Sequence, residues 1–496
     1  MNVTVSAAPR LVADDELPDD IPTSAQDRSP GLGVLPRGIS VALLCLVAYA
    51  TSYAHQVNDA LAGSRLAYLV VVPVLAVLIA AGHRATSHGV GDGEADWIVA
   101  ALVGILGLSA IYLLVSRMPT LSAWWRLESL SVLVWAVCCV IILFGMRQAL
   151  RMWSLWLFIA CFATPVPYQA VTAALGGTDI AAGLVAAAIG AVAVFLATRT
   201  TPRHRRLLAA AVSFAIGAVL VISCIVWFLP TVIVAAGVVP VLVVVGARLA
   251  PDRRPVDRAN RPIATGMPYR SARTVGVLGV ATAMLVAAGL MQDHAAIARP
   301  SISADWAARS GLSPVESYGF VTRFAGPGAT LVRYAARAEK GMPSAAVDVL
   351  STPNGAVLDD LSDVVWYPTA RPVNYRAVPS SPGIAAGTRS FHSDADAAAD
   401  AGGRDWYALT WIQRAGPVVQ RVTVIVSQSL AGDQAPPAPQ APDLVDASVG
   451  SWLWLSRQQA QGLDHVDPLV SRRATTLAAA ISGVSGHAVS GRPGQQ

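Results

Sequence analysis

Lysine is almost missing from this chain. Of its 36 basic residues one is a lysine, Lys340, so nearly every cation is an arginine, a bias expected of a GC-rich bacterial genome. Charge of either sign is scarce: 14% of the 496 residues are Asp, Glu, Lys or Arg, against 54% hydrophobic. A soluble globular chain carries about a quarter charged residues, so an ordinary soluble domain does not account for the whole molecule. The net charge of +5 therefore gives no reason to expect a nucleic-acid partner.

Cysteine is also sparse. Cys45, Cys138, Cys139, Cys161 and Cys224 all lie in apolar runs, and none follows residue 224. A disulfide framework in the C-terminal region is thereby excluded. No cysteine pair has zinc-ligand spacing with a nearby histidine. Gly-Lys-Ser/Thr phosphate loops, His-Glu-x-x-His and Gly-x-Ser-x-Gly are absent, which argues against ATP-driven pumping and the common hydrolases. Acidic residues inside the apolar runs are nearly absent too; Glu128 and Asp179 stand at run ends. That disfavours a proton-coupled carrier, which needs intramembrane carboxylates.

What is present is a patterned distribution of arginine. Arg147 and Arg151 fill one gap between apolar runs, and Arg199, Arg203, Arg205 and Arg206 another. Arg248, Arg253, Arg254, Arg258, Arg261, Arg270 and Arg273 crowd a third. The intervening gaps are short and carry little charge. This is the alternation of the positive-inside rule. With about 20 apolar residues per crossing, nine spans are expected, near 39–54, 66–82, 97–115, 127–145, 153–175, 180–198, 207–229, 231–249 and 274–291. The arrangement is N-in and C-out: a polytopic α-helical membrane bundle in a bacterial plasma membrane. Pro165-Val166-Pro167 is expected to leave the outer end of the fifth span non-helical, and Leu229-Pro230-Thr231 to form a tight hairpin. Segments six and eight, rich in Ala, Gly and Val, are suited to close helix approach.

The remaining chain divides as follows. Residues 1–37, with six acidic residues against three arginines, read as a disordered cytoplasmic tail. Residues 38–250 form the first eight helices, 251–273 a basic cytoplasmic loop and 274–291 the ninth helix. Residues 300–462 regain charge and show period-2 segments at 329–334, 346–350, 406–412 and 418–426, with turn signals at Gly326-Pro327-Gly328 and Pro353-Asn354-Gly355. They are expected to form an extracytoplasmic α+β domain, with a Pro/Gln/Ala linker at 432–442 and a helix near Leu444–Gln459. Residues 463–496 are expected to be a flexible tail containing a short helix near 473–481.

Candidate site residues gather at one depth, the outer face. They are His55 and Asp59 in the loop after the first helix, Arg65 and Tyr68 at the start of the second, Trp124-Trp125-Arg126, Pro165 and Pro167, and Cys224 near the end of the seventh. Each has a plainer reading. The tryptophans anchor at the interface, His55 sits there as an ordinary polar residue, Cys224 fills space, and Arg65 and Arg126 snorkel to headgroups. Asp394 and Asp396 after His392 resemble a metal contact only superficially, and neither a metal nor a cofactor is implied.

Three stretches together resemble the exosortases and archaeosortases. They are Ser64-Arg65-Leu66-Ala67-Tyr68-Leu69-Val70-Val71-Val72-Pro73, then Gly145-Met146-Arg147, then Ala163-Thr164-Pro165-Val166-Pro167, in the order of that family and within residues 40–230. The resemblance implies cysteine transpeptidase or protease chemistry. In it a Cys attacks a backbone carbonyl near a C-terminal sorting signal, helped by Arg and His. A nearby His or cation raises the thiolate fraction, and the thiolate is the nucleophile. Cys224 falls where the family places its Cys, with His55 as the candidate base, and Arg65, Tyr68, Arg126, Pro165 and Pro167 as candidate substrate contacts. The sequence departs from the family at Ile222-Ser223-Cys224-Ile225-Val226-Trp227, where the Gly and Arg that follow the family Cys are absent. The reading is an exosortase-like envelope protein that binds or processes the C-terminal tails of exported proteins, or binds a lipid-linked partner, with or without catalysis. Two rivals stand beside it: a multi-span glycosyltransferase acting on lipid-phosphate sugars, with Asp59 as its acidic residue, and a non-enzymatic envelope scaffold.

Overall fold

The computed structural model of the chain describes residues 34–83, 93–224, 227–249, 272–291, 299–369, 373–379, 383–393, 405–430, 434–442 and 466–489. Most of the tail 1–37, residues 251–271 of the basic loop, the expected helix at 444–459, and Asp394 and Asp396 lie outside them. The N-terminal part is a bundle of apolar helices and the C-terminal part an antiparallel sheet with helices on both faces.

Each of the nine apolar segments is helical, but their lengths differ. Four helices are long and apolar enough to cross a membrane: Glu94–Arg117, Asp179–Ala197, Arg203–Ser223 and Phe228–Leu249. Two bent pairs, Pro36–Ala48 with Ala50–Leu61 and Trp153–Phe162 with Pro165–Ala174, bring the number to six if each is one span. Ala67–Ala81, Ser129–Phe144 and Thr274–Leu290 are apolar but shorter. By length and composition this is a membrane protein.

The helix at the bundle centre is Asp179–Ala197. Thr178 caps it by accepting from the Ala181 N–H at 3.1 Å, and Asp179 places negative charge in its first turn, where the helix dipole favours it. Its small residues let neighbours approach: a Cβ on Gly183 would lie 2.7 Å from Val221, and one on Gly190 2.7 Å from Pro240. The Ala/Gly/Val content of this segment thus sets close packing, as expected from its composition. Glu94–Arg117, by contrast, leaves most of its surface exposed, as a lipid-facing helix does.

Several local expectations are corrected. Pro165-Val166-Pro167 does not unwind the chain. It starts a new helix, Pro165–Ala174, after a 63° bend. Thr164 before it is extended, as the residue preceding a proline prefers, and Pro165 occupies the first helical turn, where no N–H is needed. Tyr53–Asp59 is not a loop, because the first segment bends by 73° and continues as the helix Ala50–Leu61. Leu229-Pro230-Thr231 is not the hairpin. It lies inside the helix Phe228–Ile233, and the chain breaks earlier, at Cys224.

The sheet has strands β1 Ser301–Ile302, β2 Ser313–Ser317, β3 Thr330–Ala335, β4 Ala345–Thr352, β5 Arg376–Ala377, β6 Arg389–His392, β7 Trp406–Ala415 and β8 Val418–Ser427. They run in the order β2-β3-β4-β8-β7-β6-β5, with β1 joined in parallel to β7. Period-2 alternation gives the sheet two different faces. Val347, Val349, Leu409, Trp411, Val422, Val424 and Val426 point to one side, under Val470, Ala474, Ala478 and Ile481 of the C-terminal helix Pro468–Val489. Residues 463–496 are therefore not simply a flexible tail, because this amphipathic helix completes the sheet's core. The other face carries Leu350, Ile412 and Val419 and packs with Val357, Leu358 and Leu361 of and beside the short helix Gly355–Asp360. Trp124 and Val166 of the bundle belong to the same apolar cluster. Core continuity across this contact seats the sheet on one end of the bundle, here the sheet-side end. The 434–442 segment packs too: Arg333 donates to the carbonyls of Pro436 and Pro437, and the Gln440 N–H to the Trp366 carbonyl.

Candidate functional site

The seam between bundle and sheet is where most of the sequence's candidate residues meet. At Gly63 (φ +92°) the chain turns out of the helix Ala50–Leu61, and its carbonyl accepts from Asn354 Nδ2 at 2.6 Å. A Cβ there would lie 2.6 Å from that same nitrogen. Gly177 (φ +70°) is the second such point, since its Cβ would lie 2.3 Å from the Arg323 carbonyl oxygen. Only glycine fits either position without displacing the sheet domain.

Asp360 is the centre of the seam. One carboxylate oxygen accepts from Ser64 Oγ at 2.7 Å and from the Arg65 N–H at 3.2 Å. The other accepts from Arg126 Nη2 at 3.2 Å, and Asp59 sits 3.9 Å from the same nitrogen. Burial pushes the Asp360 carboxyl up, Arg126 and the Ser64 hydrogen bond pull it down, Asp59 pushes it up again, and it settles at about 6. Arg65 ties three elements together. Its guanidinium donates to the Gly177 carbonyl at 2.7 Å, to Asp179 at 3.2 Å and to the Phe324 carbonyl at 3.4 Å. Arg126 adopts a left-handed backbone (φ +47°) to end the helix Pro119–Trp125. For a non-glycine residue that costs about 1–2 kcal/mol, and it lets the side chain reach Asp360.

Beneath Asp360 lies a cleft. Arg65, Leu66, Tyr168, Gln169 and Thr172 of the bundle form its floor; Arg323, Phe324, Val357, Asp360 and Leu361 of the sheet domain form its roof. Thr172 Oγ1 is buried there, against the Tyr168 hydroxyl. Deeper in the bundle Tyr68 stacks on Tyr168, ring centroids 4.1 Å apart, and Tyr68 OH donates to the Thr164 carbonyl at 3.4 Å. The segment opening at Ser64 and the Pro-x-Pro segment are thus in direct contact.

Arg65 and Arg126 are brought to this seam, Tyr68 lies deeper against Thr164 and Tyr168, Pro165 is buried at the start of its helix, and Pro167 is half-buried. Cys224 does not line the cleft of the seam. Cys224 is exposed at the end of Arg203–Ser223, its carbonyl accepting from Thr231 Oγ1 at 3.0 Å, and His55 is exposed on Ala50–Leu61. Trp124 is not an interfacial anchor; it is buried and donates through its indole to Gln169 at 2.8 Å. Gly145-Met146-Arg147 is a helix break, in which the Asp96 carboxylate accepts from the Met146 N–H at 3.1 Å.

Sequence reasoning missed Asp360, Ser64, Gln169, Thr172 and Arg323. Asp359 and Asp360 did carry a signal. Asn354 marks an N-cap, so the two acids fall in the last turn of a short helix, where the dipole disfavours negative charge. Carboxylates there need cations from elsewhere, and Arg299 and Arg126 supply them. Among the described residues no group of three or more His, Cys, Asp or Glu is arranged to hold a metal ion. No family model, no curated protein and no solved structure matches the chain.

Proposed function

We propose that the chain is an exosortase-like membrane protein of the bacterial cell envelope. In this reading it crosses the plasma membrane nine times, N-in and C-out, and holds the sheet domain against the outer end of the bundle. Its partners are the bilayer and the C-terminal tails of exported proteins, or a lipid-linked substrate, received at the cleft under Asp360. The observation that carries the reading is the hydrogen bond that Tyr68 OH donates to the Thr164 carbonyl. Two of the three stretches that resemble the family, distant in sequence, meet there, as a shared binding site requires. Arg65 and the half-apolar cleft above them suit a chain end that is partly polar and partly apolar. Cys224 lies outside the contact set of the cleft, which favours binding without thiol catalysis.

The test compares membrane and secreted proteomes of a wild-type strain, a deletion strain and a Cys224→Ala strain, reading proteins whose apolar C-terminal tails stay uncut. Uncut tails in the deletion with Cys224→Ala behaving as wild type support the reading given. Uncut tails in both make Cys224 a working nucleophile. Identical tails in all three strains remove tail handling altogether.

One observation favours the glycosyltransferase alternative. Asp59 is not alone, since Arg126 links it to Asp360 at the same level. Acidic residues at the outer surface are what transfer from a lipid-phosphate sugar would use as a base. Asp59→Ala separates the two readings: lost activity with the junction intact supports sugar transfer, and unchanged tail handling rejects it.

A further inference from the structure

The cleft as it stands holds about 20 Å³ of free space, and a single water needs roughly 10–15 Å³ by this measure. Nothing the size of a peptide or a lipid headgroup enters it in this state. Its roof is made by two short helices of the sheet domain, Thr322–Ala325 and Gly355–Asp360. Polar contacts hold that roof to the bundle at Asp360, Arg65 and Asn354. In the floor the buried Thr172 hydroxyl lies against the Tyr168 hydroxyl.

We propose that the roof is a gate: the helices Thr322–Ala325 and Gly355–Asp360 lift from Ser64, Arg65 and Arg126, and this opened seam is the state that admits substrate to Thr172 and Gln169. The proposal rests on the reading that the cleft is the binding site. Opening is local, because the strands β4, β7 and β8 beneath the roof keep their own pairing. The seam is also apolar, since Val357, Leu358 and Leu361 share one cluster with Trp124 and Val166, so opening parts that cluster as well, at a cost below that of global unfolding.

The charge of Asp360 sets the bias of the gate. The groups facing it are Asp59, Ser64 and Arg65 from the first bundle segment, Arg126 after Pro119–Trp125, and Tyr168 with Asp179 from the next helices. Arg323 lines the same roof, and Asp359 neighbours Asp360 on its own helix. The closed seam holds its carboxyl at about 6, above the ordinary 3.8. A carboxyl raised in the closed state favours closure in its neutral form. The closed state is therefore tightest below the ordinary value and loosens as pH rises through about 6. Acid tightens the gate, and neutral pH leaves an ionised, desolvated carboxylate that favours opening.

Amide hydrogen exchange of the full chain in lipid nanodiscs, corrected for intrinsic rates, measures this directly without any substrate. Between about pH 7.5 and about pH 5, protection of segments 63–66 and 355–361 should rise roughly tenfold relative to β7 and β8, the amount set by a shift of about two pH units. Asp360→Asn should abolish the dependence. Ser64→Ala, which removes one donor from the carboxylate, should move the transition to higher pH and serves if Asp360→Asn loses β7 and β8 protection. Equal protection at both pH values, a change of opposite sign, or the same dependence in both variants overturns the gate. Because no tail or lipid-linked substrate is added, that failure leaves the proteome comparison standing on its own.

Discussion

Two carboxylates buried in this molecule are held in different ways. Asp348, in the middle of β4, receives both arms of Arg333 at 2.8 and 2.7 Å and the Tyr367 hydroxyl at 2.8 Å. Arg333 is itself fixed by the Pro436 and Pro437 carbonyls. Asp360 receives one arm of one arginine at 3.2 Å, a serine and a backbone amide, with another acid, Asp59, close to that arginine. A bidentate pair with its remaining donors occupied repays burial by geometry. A single longer contact beside a like charge repays less, and the carboxyl rises to about 6. The first arrangement fixes the interior of one domain. The second joins two domains and leaves their contact adjustable.

Breaking the stronger pair should cost most. Asp348→Ala strands Arg333 in the sheet interior, and removing one partner of a buried pair costs about 3–5 kcal/mol. A drop of that size in the stability of the sheet domain, followed by near-ultraviolet circular dichroism on heating, is the expected result. Forcing the seam apart comes next. Gly177→Val places a Cβ against the Arg323 backbone and requires φ +70° of a branched residue, at about 1–3 kcal/mol for the backbone alone. Protease should then cut near residues 319–326 while β7 and β8 remain protected. Asp360→Asn is smaller and acts mainly on the pH profile, removing the roughly tenfold change in seam protection between pH 7.5 and 5. Cys224→Ala is smallest: the side chain is exposed at a helix end, and thermal stability should stay within about 0.5 kcal/mol of wild type.

Much of the architecture was legible because it rests on periodicity and composition. All nine apolar segments are helical, and β3, β4, β7 and β8 fall on the four alternating stretches. Proline was misread where its position in a helix mattered: Pro165 and Pro230 sit in first turns, and a sequence signal for breaking a helix is also one for starting it. The C-terminal helix is legible near 473–481, but its docking is not, because its small apolar residues, Ala474 and Ala478, give a weak pattern until a sheet face is there to receive them. At the seam, Arg65 and Arg126 are legible as cations at the outer ends of apolar runs. Asp360 is not, since its partner residues lie 234–296 positions away and no periodicity links a sheet-domain helix to a membrane helix end. Arg126 was named for its charge, but its left-handed backbone leaves no mark in the sequence.

Substrate is proposed to enter between floor and roof. A photo-crosslinking amino acid at position 323, at the exposed edge of the roof, tests that in living cells. The same label at Val315, on the exposed strand β2, is the control. The account predicts adducts at position 323 that contain C-terminal tail peptides of exported proteins, and none of these at position 315. Tail adducts equal at the two positions, or absent from 323 in cells that handle the tails normally, would contradict it.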